Sequence, residues 1–203
     1  MKKFDYIEAA KKIFEIESRV VSELSDQLDE SYVLLCEDIL KMGGKLILMG
    51  IGKSGHVSQK IAATLASTGT ASFFIHPTEA AHGDMGMIGK DDIVLLFSNS
   101  GETQEIISIL PALKRASNKL ISVTGNALSS IAQASDNHIE IKTSEEACTL
   151  DLAPTSSTTS AMAFGDALAV TLLQAKDKTN TTAFSASRNT ARDSLECPSN
   201  LLI

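Results

Sequence analysis

The sequence predicts an α/β protein: a three-layer sandwich with a five-stranded parallel sheet flanked by helices. Three observations predict it. Short continuous apolar runs such as KLILMGI (45–51) and DDIVLLFS (91–98) suit strands buried on both faces. Segments with apolar residues at helical spacing separate those runs. Glycines at 43–44, 52, 55 and 69 punctuate the change from one period to the other. Strands that alternate with helices pair in parallel through right-handed crossovers.

Taken in order, residues 4–25 and 27–41 read as two helices, with Ile13, Ile16, Val20 and Leu24 as one apolar stripe. Gly43-Gly44 ends the second helix, and residues 45–51 form the first strand. The chain turns at Gly52–Gly55 into a helix carrying Val57, Ile61 and Leu65, closed by Gly69. ASFFI (71–75) is the second strand and 91–98 the third. The helix over 102–117 has Pro111 as its weak point. LISVTG (120–125) is the fourth strand, 126–134 a short helix, and HIEIK (138–142) the fifth strand. A long apolar helix covers 156–176. The whole of 1–203 reads as a single domain, with 177–203 a polar C-terminal segment without clear period.

Composition bounds the function. Eighteen Lys and Arg against 25 Asp and Glu leave a net charge of −7, which argues against a nucleic-acid partner. A site can still be locally positive and take a small anion. No apolar run approaches the ~20 residues of a membrane span. The N-terminus MKKFDYIEAAKKIF is charged throughout and has no cleavage site, so no signal peptide is expected. Cys36, Cys148 and Cys197 are odd in number and far apart, as in a reduced, cytoplasmic protein.

Parallel sheets of this kind bind ligands at the carboxyl ends of their strands. Four loops at such ends carry unusual residues. GIGKSG (50–55) has the G-x-G-x-x-G spacing, but the next strand ends in Phe74-Ile75-His76 with no acidic residue for a ribose. A phosphate-binding P-loop fails too, because Ile47 stands where its first glycine belongs. What remains is a turn whose N–H groups and Ser54 face an anion, with Gly52 and Lys53 beside it. SNSGET (98–103) packs Ser98, Asn99, Ser100 and Thr103 at a strand-to-helix junction, more hydroxyls than a helix cap needs. HPTEAAHGDMG (76–86) offers His76, Glu79 and His82 for proton transfer. No cysteine joins them, so a metal is not expected. LAPTSSTTS (152–160) brings Ser156, Ser157 and Thr158, a second hydroxyl patch fit for a polyhydroxylated ligand, with Glu145 and Glu146 ahead of it.

Together GIGKSGH (50–56), HPTEAAHGDMG (76–86), SNSGETQE (98–105), EACTLDLAPTSSTTS (146–160) and FGDALAV (164–170) resemble the sugar isomerase (SIS) domain family. More narrowly they are similar to its arabinose 5-phosphate isomerase branch, over about residues 5–176. The resemblance implies a flavodoxin-like or Rossmann-like sandwich assembled as a homotetramer, with sites at subunit interfaces and no metal or organic cofactor. It implies interconversion of D-ribulose 5-phosphate and D-arabinose 5-phosphate through an enediol, feeding synthesis of Kdo for lipopolysaccharide or capsule. Ser54, Ser98, Ser100 and Thr103 would anchor the phosphate. Lys53 would stabilise charge on oxygen, Glu105 or Glu146 would take the carbon-bound proton, and His82 would open the ring or shuttle a proton. Burial would suit either glutamate by raising its pKa. CMP-Kdo is the feedback ligand the resemblance points to, with no residue marking its site. Relatives often continue into two CBS modules, and this chain reads as a stand-alone form.

The chain departs from the family once. Where relatives carry His-Pro-Gly-Gly, it has AFSASRNTARDSL (183–195), with Ser187 or Arg188 near the histidine's place. Neither side chain carries a proton as imidazole does. Two alternatives therefore stand beside the isomerase: a non-catalytic sugar-phosphate sensor, and an isomerase of another phosphosugar.

Overall fold

The structure is a computed structural model and describes residues 4–150 and 152–179. Helices α1 (Tyr6–Gln27) and α2 (Glu30–Lys41) come first. Each starts on an aspartate whose carboxylate accepts backbone N–H groups of the first turn: Asp5 from Ile7 and Glu8, Asp29 from Ser31. There follow β1 (Leu46–Gly50), α3 (Lys53–Ser67), β2 (Ser72–Phe74) and α4 (Pro77–Ala81). A 3-10 turn (Asp84–Met87) leads to β3 (Ile93–Phe97), α5 (Gln104–Ala116) and β4 (Lys119–Thr124). The order ends with α6 (Ser130–Ala134), β5 (Asn137–Glu140) and α7 (Ser156–Thr179).

The five strands lie in the order β2-β1-β3-β4-β5, and every pair is parallel. This is the predicted three-layer α/β sandwich. The chain steps from β1 outward to β2 and then returns to β3 on the other side of β1. The β1/β3 boundary is thus the point where connections leave in opposite directions and open a crevice.

Successive strand residues serve opposite faces, as the pleat requires. Leu46 and Leu48 pack with α2, α3 and α7, whereas Ile47 and Met49 pack with α4, α5 and α6. All five residues of β1 and of β3 are buried, which explains their unbroken apolar run.

Differences from the sequence reading are local. Residues 76–86, expected as loop, hold α4 and the 3-10 turn, because His76 caps a helix that Pro77 starts. The helix expected over 126–134 starts only at Ser130, since Ser129 is its cap. Pro111 does not interrupt α5; it sits on the exposed side. Of the α1 stripe, Val20 is buried and Leu24 packs on the core, but Ile13 stays exposed. Helix α7 runs to Thr179, and the remainder of the 177–203 segment, with Ser187, Arg188 and Cys197, lies outside the described residues.

Candidate active site at the carboxyl ends of the strands

The β1–α3 turn is built for close approach. A Cβ on Gly50 would meet the Ser54 carbonyl at 2.8 Å, and one on Gly55 would meet the Gly50 oxygen at 2.7 Å. Gly52 has φ +58, which favours glycine. This tight turn seats Ser54 in a narrow cavity beside the β1/β3 switch point. Ser54, Ser98, Asn99, Thr124, Ser157 and Thr158 contribute its polar side chains, with a further hydroxyl from Thr143. Its volume is about 60 Å³. A polar basin of about 630 Å³ adjoins it, sharing Asn99, Gly125 and Thr143 and lined also by Glu146.

The serine loop (98–103) holds its shape through its own atoms. Ser98 Oγ and Thr103 Oγ1 share a hydrogen bond of 2.8 Å, and the Gly101 N–H donates to Ser98 Oγ at 3.1 Å. The Glu102 N–H donates to Ser100 Oγ. Gly101 has φ +68, and a Cβ there would collide with Ser129 Oγ. The next crossover braces the loop: the Gly125 N–H donates to the Asn99 carbonyl at 2.9 Å, and the Ile131 N–H to the Gly101 carbonyl at 3.1 Å. Glu102 turns away from the cavity and accepts the Ser130 N–H at 2.7 Å, and this bond holds its carboxyl below the ordinary glutamate range.

Glu146 lies on the loop between β5 and α7. Its carboxylate accepts from the Thr155 N–H at 2.7 Å, from the Thr155 hydroxyl at 2.9 Å and from the Ser157 N–H at 3.3 Å. It therefore binds the amides that open α7, where a negative charge is favoured. Burial pushes the Glu146 carboxyl up, but the hydrogen bonds from Ser157 and Thr155 together outweigh it. Its pKa is lowered, contrary to the expectation of a carboxylate raised by burial, because donors rather than apolar walls surround it.

The structure gathers some of the predicted residues and separates others. Ser54, Ser98, Asn99, Ser157 and Thr158 meet in the cavity, with Glu146 in the basin. Gly52, Ser100 and Thr103 belong to the loops that shape it without lining it. Ser156 is fully buried and accepts the Ala147 N–H at 3.1 Å, so its hydroxyl serves the loop. Lys53 is exposed and opens into a groove between α1, α3 and α7, shared with His56 and Thr158. His76, His82 and Glu105 line neither hollow. His76 Nδ1 accepts the Thr78 N–H at 3.2 Å, and His82 and Glu105 are exposed on α4 and α5. Strand β2 is the sheet's edge, which carries both histidines one strand away from the crevice. Thr124, Gly125 and Thr143 were not singled out in the sequence. The rule that ligands sit at strand carboxyl ends, applied to the fourth strand as well, finds Thr124 and Gly125. Among the described residues no group of three His, Cys, Asp or Glu side chains is placed to hold a metal ion.

Comparison with known proteins agrees with this architecture. A sequence model described as "SIS domain" matches residues 39–171. Arabinose 5-phosphate isomerase KdsD of Escherichia coli strain K12 is 50% identical over 173 residues, 85% of this chain and 53% of the relative. The protein of that name from Pseudomonas aeruginosa PAO1 is 51% identical over 172 residues, again 85% of this chain and 53% of the relative. The chain thus spans about half the length of the curated relatives it matches. Among solved structures, E. coli CFT073 c3406 in complex with arabinose 5-phosphate superposes with a TM-score of 0.83 at 45% identity, covering 87% of this chain and 94% of that one. With the glycine turn, the serine loop and the hydroxyl-rich start of α7 in place, the match over most of the sandwich makes this chain a member of the SIS domain family.

Proposed function

We propose that this chain is an aldose–ketose isomerase that interconverts D-ribulose 5-phosphate and D-arabinose 5-phosphate. The observation that carries the reading is a narrow hydroxyl-lined cavity opening into a basin that holds Glu146. The phosphate goes to Ser54, Ser98 and the serine-loop amides, and the sugar extends toward the basin. Identity near 50% to relatives named arabinose 5-phosphate isomerase KdsD supports the substrate. So does a structural relative solved in complex with arabinose 5-phosphate.

In the forward direction Glu146 takes a proton from C1 of the ketose while O2 gains one, giving a cis-enediol. Loss of the O1 proton and return of the carbon-bound proton to C2 give the aldose. Glu146 is preferred over Glu105 because it lines the basin, whereas Glu105 is exposed on α5. Hydrogen bonds keep it ionised at neutral pH, as a base must be. Lys53, whose groove shares Val57 and Thr158 with the cavity, is assigned the charge developing on oxygen. Fixing the remote phosphate orients the reacting carbons, which is where its binding energy goes.

The same reading extends to assembly and setting. Phe4, Tyr6, Ile7 and Phe14 leave an apolar face exposed along the first half of α1, in keeping with a homo-oligomer, a tetramer on the family resemblance. His82 and Glu105 enter the chemistry where copies meet. No helix among the described residues is long and apolar enough to cross a membrane, and we place the reaction in the cytoplasm. The aldose product supplies Kdo synthesis, with CMP-Kdo as feedback ligand.

The test is NMR of D-ribulose 5-phosphate incubated with the protein in deuterated water. D-Arabinose 5-phosphate carrying deuterium at C2 is expected. Saturable sugar-phosphate binding without turnover would replace the enzyme with a sensor. Absence of binding would overturn the phosphate site itself.

A further inference from the structure

Helix α1 presents one polar row, Arg19, Glu23 and Gln27, each one turn beyond the last. All three reach the loop that carries Glu146. The Gln27 side-chain amide pairs with both backbone groups of Lys142: its Nε2 donates to the Lys142 carbonyl at 3.1 Å, and its Oε1 accepts the Lys142 N–H at 2.7 Å. The Ser144 hydroxyl donates to Glu23 at 2.6 Å. Arg19 forms an ion pair with Glu145. Nearer the start of the helix, Glu17 accepts the Thr159 hydroxyl of α7 at 3.2 Å. Among its described residues the loop between β5 and α7 forms neither helix nor strand. Beyond Ile141 its backbone is held by Gln27 at Lys142 and by the Thr155 and Ser156 hydroxyls at Ala147.

We infer that Gln27, backed by Glu23 and Arg19, is a positioning residue for Glu146: it acts as a side-chain strand that continues β5's pairing and fixes the loop over the basin. The role rests on the reading of Glu146 as the carbon base. Ser54 and Ser98, to which the proposed function gives the phosphate, sit on α3 and the serine loop, whereas the Gln27 side-chain bonds go to Lys142. The two halves of the site are therefore separable. Loosening Gln27 disturbs turnover and leaves phosphate capture intact.

The test compares wild type, Q27A and Q27E by amide hydrogen exchange and by steady-state kinetics across pH. In Q27A the Ala147 and Thr155 amides should exchange about ten-fold faster, because the bonds they donate to Thr155, Ser156 and Glu146 are opened more often. The kcat should fall about ten-fold from misplacement of the base. Inhibition by inorganic phosphate should stay within about two-fold, as Ser54 and Ser98 lie outside the loosened loop. The acid limb of kcat should move to higher pH as Glu146 loses donors, whereas a mere loss of folded protein would scale the rate equally at every pH. Q27E keeps the acceptor for the Lys142 N–H and loses the donor, so it should fall between the two. Unchanged exchange in Q27A overturns the inference whether or not the wild type turns over. Faster exchange with an unshifted limb and full kcat in an active wild type overturns it as well. A wild type without turnover removes the isomerase reading by itself, and the exchange result still decides whether Gln27 fastens the loop.

Discussion

The serine loop (98–103) and the carboxylate loop (142–149) flank the same hollow, yet they are held by different means. The first is closed by bonds a few residues apart, Ser98 to Thr103 and Gly101 to Ser98, and is braced by the adjoining crossover. The second is held at one end by α7 and at the other by side chains of α1, from partners up to 126 residues distant. A loop rich in glycine and hydroxyls can organise itself, since its donors and acceptors lie within its own turn. The KTSEEACT loop takes its order from side chains of α1 and from the start of α7. The loop proposed to capture the phosphate is thus preformed, and the loop that carries the proposed base depends on the packing of α1.

The largest effect that sharpens this contrast is expected from Glu146→Gln. Turnover should fall by about 10²–10⁴-fold, the usual worth of a general base, while phosphate inhibition stays near wild type. Turnover of the variant at the wild-type rate removes Glu146 from the base role. Glycine at 101 tests the other loop. Gly101→Ala puts a side chain at φ +68 and against Ser129, and should cost about 1–3 kcal/mol in urea unfolding. Phosphate protection against unfolding should disappear, while exchange at Ala147 stays as in wild type; if both loops loosen together, the two are not independent.

A pH effect of intermediate size follows from Glu146. Its folded pKa lies below the ordinary value of 4.5, so its contribution to stability is fully present above that value. It is lost as pH falls through the depressed folded pKa. The urea midpoint of wild type should drop more than that of Glu146→Gln between about pH 6 and about pH 3. Parallel curves for the two proteins would show that the carboxylate's bonds are not worth their geometry.

The smallest effect is expected from Arg19→Ala. Both partners of the Arg19–Glu145 pair are about half exposed, at 51% and 50%. Such a pair is worth about 0–1 kcal/mol, and the melting temperature should move by about 2 °C or less. A larger change would shift the weight of the fastening from Gln27 to the ion pair.

Much of the narrow cavity was legible because its signals are local. Glycine spacing after an apolar strand marks the Gly50–Gly55 turn, and five polar residues at 98–103 exceed what a cap requires. Ser54, Ser98 and Asn99 accordingly meet in the cavity. The 76–86 stretch was rich in groups suited to proton transfer, yet its histidines stand away from the crevice of the single chain. Composition describes what a loop can do, and strand order decides what it faces. Gln27 gave no signal at all: a glutamine on an amphipathic helix reads as solvated until Lys142 is placed beside it.

The sequence by itself determined the α/β class, the five strands and the glycine- and serine-rich turns at their ends, since each depends on periodicity and on donors within a few residues. Tertiary structure alone decided that β1 lies between β2 and β3, that Glu146 caps α7, and that α1 fastens its loop. These are pairings between surfaces far apart along the chain. Their choice rests on how whole elements pack, a property no short stretch of residues contains.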